Sequence, residues 1–226
     1  SAPDGAVCFW IDPQGNPRMS NVVSQLRVTW PSGQTTPLGL NEDRRPNAAV
    51  LYTPRLGAST RTYGGRELVL ERVENNAWLP LRAGEIYTAQ VREVRDGGNT
   101  RLGSDIMVLS LGPSLAARLP RVAAGSVLKL STATMPDLSK VQTALGGGPQ
   151  LVHEGKEQTS YEHRSNQRHP RAAFGWNATH YFFAVVDGRQ PGLYMGMTLQ
   201  EMAAYLSRQG CDEAMNLDGG GSVEMW

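Results

Sequence analysis

Apolar and polar residues alternate along this chain in short runs, a period of two that is typical of β-strands. Seven runs predict strands, at residues 25–30, 48–53, 67–73, 87–94, 106–111, 127–132 and 181–186. Turn-forming pairs such as Gly64-Gly65 and Asp187-Gly188 separate them. The pattern therefore predicts a strand-rich protein.

Helical periodicity is rare. The best helix covers residues 198–209, where Thr198 and Glu201 form a capping-box pair and Gly210 follows the last turn. Its apolar face has four members: Leu199, Met202, Ala203 and Leu206. Weaker helices are predicted at 114–119 and 137–145. Strands with a few late helices indicate an α+β fold with mixed sheets, and residues 1–226 are interpreted as a single domain.

Composition and charge exclude little. A hydrophobic content of 40%, 19% charged residues and a net charge of +1 are ordinary for a soluble globular protein and do not favour nucleic acid as a partner. No apolar run approaches the roughly 20 residues of a membrane-spanning helix, so no membrane span is predicted. Cys8 and Cys211 leave two possibilities open, one disulfide or two free thiols.

The segment from Asn216 to Ser222 carries the clearest chemical signal. A short strand runs into Asp218, three glycines and a hydroxyl. Glycines let a ligand approach the main-chain N–H groups, and successive N–H groups can bind an anion. The adjacent carboxylate adds acid/base capacity. We interpret the segment as part of a functional site.

Three further glycine-bearing stretches precede that segment, at residues 146–149, 168–175 and 185–189. None has the P-loop or dinucleotide pattern. Arg168 and Arg171 flank a rigid turn and are candidate phosphate ligands. Asp187 and Asp218 each follow an apolar run and are a candidate acid/base or nucleophile pair for glycosidic cleavage, with Glu224 as a third candidate. The histidine spacing does not favour zinc.

The order of these motifs resembles the phosphodiester glycosidase family. The matching segments are 51–60, 108–110, 125–127, 146–152, 168–171, 187–189 and 196–201, followed by Asn216–Ser222. The resemblance implies a hydrolase that cleaves a sugar carbon from phosphate in a sugar phosphodiester or a phosphate-decorated bacterial glycan. It implies that Arg171 holds the phosphodiester and that Gly219–Gly221 N–H groups receive the charge of the leaving group.

The resulting expectations cover site, cofactor and location. Expected catalytic residues are Asp218, Asp187 and Glu224. Expected substrate- or phosphate-binding residues are Arg171, Arg168, Gly147, Gly148, Asn216, Gly219, Gly220, Gly221 and Ser222. No cofactor or metal is expected, although a metal-dependent phosphodiesterase built on the three acidic residues is a weaker alternative. The resemblance favours a secreted, periplasmic or cell-envelope protein.

Three departures from the family pattern leave alternatives open. Ala172 stands where the family commonly has Thr, and Cys8-Phe9-Trp10 stands where the family usually opens with an Asn-Gly-Gly-Phe-Phe-like strand. These two departures favour a second hypothesis, a non-catalytic glycan-binding or assembly protein on the same scaffold. The sequence stops at Trp226, where family members continue. A truncated chain, a processed fragment and completion by a second polypeptide are the three interpretations.

Overall fold

The computed structural model describes residues 6–73, 78–119, 121–159, 167–190 and 192–222. Within them lie two α-helices, α1 (Pro113–Ala116) and α2 (Leu199–Arg208). The strands are β1 (Ala6–Ile11), β2 (Pro17–Ser24), β3 (Arg27–Thr29), β4 (Thr35–Pro37), β5 (Gly39–Leu40), β6 (Ala49–Tyr52), β7 (Arg66–Arg72), β8 (Ile86–Asp96), β9 (Met107–Leu111), β10 (Val127–Ser131), β11 (Thr134–Met135), β12 (Ala144–Gly147), β13 (Gln150–His153), β14 (Lys156–Glu157), β15 (Arg171–Trp176), β16 (Tyr181–Val186) and β17 (Glu213–Asn216). The strand-rich α+β class is confirmed.

All seven predicted strands are present, as β3, β6, β7, β8, β9, β10 and β16. The principal helix is confirmed as α2 with its capping box: Thr198 Oγ1 accepts from the Glu201 N–H at 3.1 Å, and Glu201 Oε2 accepts from the Thr198 N–H at 2.9 Å. The helix predicted at 114–119 shortens to α1.

The helix predicted at 137–145 is wrong. Asp137 Oδ1 accepts from the Ser139 N–H at 2.9 Å, and Thr134 Oγ1 accepts from the Leu138 N–H at 3.1 Å. Such local bonds offer the backbone an alternative to the helix. The last residues of the segment belong to β12, which pairs with β1.

The chain divides into two compact units, one formed by residues 23–140 and the other by the described residues 6–22 and 141–222. The first unit contains an eight-stranded sheet in the order β4-β3-β10-β8-β7-β9-β6-β5. β6 and β9 are buried along their whole lengths. Leu51 and Leu109 face one apolar cluster while Val50 and Val108 face another, so both sides of these strands are covered.

A buried carboxylate network lies within the first unit. Glu67 is 0% exposed, and its carboxylate accepts from Thr62 Oγ1 at 2.7 Å, Ser110 Oγ at 2.8 Å and the Thr100 N–H at 3.0 Å. Burial alone raises the pKa of Glu67, but the hydrogen bonds together outweigh it and hold the pKa below its usual value. The carboxylate is thus stabilised in its charged form.

The second unit contains an antiparallel five-stranded sheet in the order β14-β13-β17-β15-β16. Helix α2 covers one face through the predicted apolar stripe, which contacts β13, β15 and β17. The other face carries Phe174, Trp176 and Met215, which form an aromatic-rich cluster with Phe9 of β1. This sheet carries the candidate site.

Candidate functional site

The glycine-bearing stretches meet at one end of the five-stranded sheet. Because β15 is antiparallel to both β16 and β17, the start of β15 lies beside the ends of its two neighbours. Arg171 pairs with Val186, so Asp187 follows directly beside it. β17 ends at Asn216 against the same end of β15, two residues before Asp218. The sheet topology therefore brings Arg171, Asp187 and Asp218 to one edge.

Glycines allow the segments at this edge to approach closely. A Cβ on Gly188 would lie 2.7 Å from the Pro170 nitrogen, and one on Gly196 would lie 2.4 Å from the His169 carbonyl oxygen. The Gly220 N–H donates to the Pro170 carbonyl at 3.0 Å. Three separate segments thus pack on His169-Pro170, with contacts that leave no room for side chains at Gly188 and Gly196.

The two arginines predicted as phosphate ligands both bind protein groups. Arg168 pairs with Glu201 of the capping box. Arg171 donates from Nε to the Met197 carbonyl and from Nη2 to the Gln167 carbonyl, each at 3.0 Å. Burial lowers the pKa of Arg171. Both side chains hold the neighbouring loops in place, which sequence reasoning did not anticipate.

Arg189 is the cation that the predicted site residues omitted. Its Nη2 lies 3.0 Å from the position of a Cβ on Gly220, so the guanidinium sits over the glycine segment. The side chain is exposed, and its backbone adopts a φ of 59°. Because it directly follows Asp187-Gly188 in one of the motifs, a search of that motif for cations would have found it.

The two candidate carboxylates are exposed. Asp218 Oδ1 accepts from the N–H of its neighbour Gly219 at 2.9 Å. Asp187 lines a cavity of about 460 Å³ together with Arg168, Glu201 and Arg208. Exposed carboxylates can accept or donate a proton at a bound sugar phosphate.

The main-chain N–H groups of the glycine segment are less open to a ligand than expected. The Gly219 N–H binds Asp218, and the Gly220 N–H binds Pro170. Residues Gly220–Ser222 form a 3-10 turn. An anion at this segment would therefore meet the Arg189 guanidinium as its principal donor.

Asn216 joins the first glycine stretch to the last. Its carbonyl accepts from the Gly148 N–H at 2.7 Å, its N–H donates to the Pro149 carbonyl at 3.0 Å, and its Nδ2 donates to the Gly148 carbonyl at 3.2 Å. A Cβ on Gly147 would lie 2.6 Å from the Asn216 carbonyl oxygen. Gly147 and Gly148 therefore contact the strand that leads to Asp218.

Glu224, the third candidate carboxylate, lies outside the described residues. Within the described ranges, no group of three or more His, Cys, Asp or Glu side chains could hold a metal ion, and the cofactor expectation stays a prediction.

Cys8 and Cys211 are both free thiols, so the disulfide alternative is wrong. Burial raises the pKa of both, that of Cys211 to about 11 with a further contribution from Asp212.

Comparison with known proteins places the chain in a family. Residues 85–226, more than half of the chain, match the sequence pattern of the phosphodiester glycosidase family, and the chain belongs to that family. The segment 51–60, which contributed to the expected resemblance, lies outside the match. A search of curated proteins returned no match.

Solved structures share the fold at low sequence identity. A hypothetical protein from Synechocystis superposes with a TM-score of 0.70 at 21% identity, covering 98% of this chain and 41% of its own. A proposed exported protein from Burkholderia pseudomallei gives a TM-score of 0.63 at 18% identity, covering 96% and 52%. This chain thus spans about two fifths and about half of the two structures.

A third structure is the catalytic domain of zebrafish N-acetylglucosamine-1-phosphodiester alpha-N-acetylglucosaminidase. It gives a TM-score of 0.31 at 14% identity, with coverage of 96% of this chain and 70% of its own. That superposition is too poor to support a structural argument. Neither of the described helices, α1 and α2, has the length and apolar content of a membrane span.

Proposed function

We propose that this chain hydrolyses the bond between a sugar carbon and a phosphate oxygen in a sugar phosphodiester. Family membership supports glycosidase chemistry. The observation that carries the proposal is the Arg189 guanidinium over Gly220, at the sheet end where Asp187 and Asp218 both emerge. A guanidinium and two carboxylates at one sheet end match the charge demands of this reaction.

The charge of the leaving group explains why a cation is needed. Water adds its hydroxyl to the sugar carbon, the carbon–oxygen bond breaks, and the electron pair stays on the phosphate oxygen. The phosphodiester monoanion becomes a monoester dianion, so negative charge grows toward the transition state. Arg189 binds that state more strongly than the ground state, which is the condition for acceleration.

In this proposal one carboxylate accepts a proton and the other stabilises positive charge on the sugar. Glycosidases place two carboxyl groups at the scissile bond, one that acts on water or the sugar carbon and one that serves the leaving group. A dianionic phosphate leaves with little need of a proton, so in this proposal Asp218 takes the proton of the attacking water. Asp187 stabilises the positive charge that develops on the sugar. Arg168 and Arg171 are positioning residues because they bind protein carbonyls and Glu201.

The test is hydrolysis of a panel of sugar 1-phosphodiesters and chromogenic glycosides by the purified chain. We expect Asp218→Ala to abolish sugar release and Arg189→Ala to lower kcat by about 10²–10³-fold, the usual effect of losing one charge-stabilising donor. The kcat of Arg189→Lys should lie between those of the wild type and Arg189→Ala, because lysine keeps the charge but lacks the planar guanidinium fork. Arg92→Ala, an exposed arginine on β8, is the matched control.

Each alternative has its own outcome. Full activity of Asp218→Ala refutes its role. Binding of a phosphodiester without sugar release favours the non-catalytic glycan-binding alternative, which the engagement of Arg168 and Arg171 by protein groups also fits. Loss of turnover in the presence of a chelator favours the metal-dependent alternative.

A further inference from the structure

The loop that follows Arg189 is held at both ends. Gln190 and Tyr194 exchange two backbone hydrogen bonds of 2.9 Å and close a tight turn. At the far end, Met197 and His169 exchange N–H···O bonds of 3.0 and 3.2 Å. The Met197 carbonyl also accepts from Arg171 Nε. Gln190, Tyr194 and Met197 are thus fixed by backbone hydrogen bonds, and Met197 is bonded to residues of the candidate site.

This loop exposes three consecutive large apolar side chains. Leu193 is 75% exposed, Tyr194 56% and Met195 57%. Single apolar residues on a surface are ordinary, whereas contiguous apolar patches are typical of binding surfaces. Three consecutive exposed apolar side chains make this loop a candidate for one. These three side chains line the same cavity as Asp187.

The loop forms one wall of the cavity that Asp187 lines. Helix α2 and the end of β16 complete the walls, and the volume is about 460 Å³. The apolar lining consists of Val186, Leu193, Tyr194, Met195, Met197 and Ala204. Small-molecule sites are concave, mainly apolar and contain a few polar groups, with volumes of about 300–1,000 Å³. The cavity matches that description in volume and in its mainly apolar lining, which includes the candidate catalytic residue Asp187.

The charged residues of the cavity narrow the choice of ligand. Arg168 and Glu201 neutralise each other as an ion pair, and Asp187 and Arg208 contribute opposite charges. The cavity therefore offers no net charge to a second anion, and its binding surface is the apolar wall. Gly196 lines the cavity and packs on His169. The next residue, Pro170, accepts from the N–H of Gly220, over which the Arg189 guanidinium lies, so a group esterified to a phosphate at Arg189 begins near that wall.

We propose that this cavity binds an apolar aglycone, an alkyl or acyl chain esterified to the phosphate of the substrate. The proposal rests on the proposed function, because the phosphate at Arg189 sets where the chain begins. The volume of about 460 Å³ and the charged residues in the lining favour a ligand group over a partner surface. The substrate class is then a sugar phosphodiester whose second ester carries a hydrocarbon chain.

The test compares two probes, methyl phosphate and octyl phosphate, by isothermal titration calorimetry below the micelle concentration. Each fully buried methylene favours binding about fourfold, so partial burial of the octyl chain should tighten binding at least roughly tenfold over methyl phosphate. Leu193→Ser should remove most of that advantage and leave methyl phosphate binding unchanged. Ile86→Ser, a change at a 67% exposed apolar residue of the first unit, is the control and should change neither.

Equal affinity for the two probes overturns the proposal, as does an octyl advantage that persists in Leu193→Ser. A membrane is the competing occupant. If Leu193→Ser abolishes co-sedimentation with phosphatidylcholine vesicles but leaves octyl phosphate binding intact, the loop contacts lipid surfaces and the aglycone proposal is overturned. A Leu193-dependent octyl advantage without cleavage of any phosphodiester refutes the proposed function and leaves the apolar site standing.

Discussion

Replacing Gly147 by alanine tests whether this glycine serves packing or ligand binding. The sequence predicted that Gly147 binds phosphate. In the structure, a Cβ added to Gly147 would lie 2.6 Å from the Asn216 carbonyl oxygen and 3.1 Å from Met215 Sδ. Real Cβ atoms essentially never come closer than 3.0 Å. Gly147→Ala must therefore push strand β17 away, at the residue that leads to Asp218.

The expected cost follows from these contacts. Overpacking of this kind costs about 1–3 kcal/mol. The displaced carbonyl also accepts from the Gly148 N–H at 2.7 Å, a bond worth about 1 kcal/mol. Alanine also lowers the conformational entropy of the unfolded chain, which stabilises the folded state by about 0.4–1 kcal/mol. A net loss of about 2 kcal/mol lowers the Tm of a chain this size by roughly 4–8 °C.

The neighbouring residue supplies the control. A Cβ on Gly146 would meet Cys8 Sγ at 4.0 Å, an ordinary contact, so Gly146→Ala should leave the Tm unchanged or slightly raised. Thermal unfolding followed by circular dichroism compares the two variants. If the Tm of Gly147→Ala equals or exceeds the Tm of Gly146→Ala, the packing argument is refuted. Loss of phosphodiester binding at an unchanged Tm would restore the ligand role.

Two further predictions concern buried groups. Because the folded-state pKa of Glu67 is lowered, its carboxylate stabilises the fold above the unfolded pKa, near 4.5, and loses that contribution as the pH falls through the folded pKa. Glu67→Gln should thus cost about 1–3 kcal/mol in urea unfolding at pH 7 and progressively less below pH 4; a pH-independent difference would contradict the assignment. In the native protein, a thiol reagent should label the half-buried Cys8 before Cys211, because Cys211 is 1% exposed and has a pKa of about 11. After denaturation without reductant, the reagent should titrate two thiols per chain; the absence of both would indicate a disulfide.

Local sequence signals were sufficient to predict an element when all the residues that define it lie close together in the sequence. Helix α2 was predictable because its cap, its apolar stripe and its terminal glycine all lie within thirteen residues. The helix predicted at 137–145 failed since Asp137 and Thr134 capture backbone N–H groups, a competition that periodicity does not register. Short strands such as β14 and β4 have too few residues to show a period.

The sequence by itself determined the strand-rich class, the principal helix, the family and the motifs that carry polar chemistry. Only the tertiary structure decided which side chains are available to a ligand. Arg168, Arg171 and Arg189 are chemically equal in the sequence, yet two bind protein groups and the third lies over Gly220. That difference depends on antiparallel strand order and on backbone contacts between residues up to 50 positions apart, such as Pro170 and Gly220. Local sequence patterns contain no information at that range.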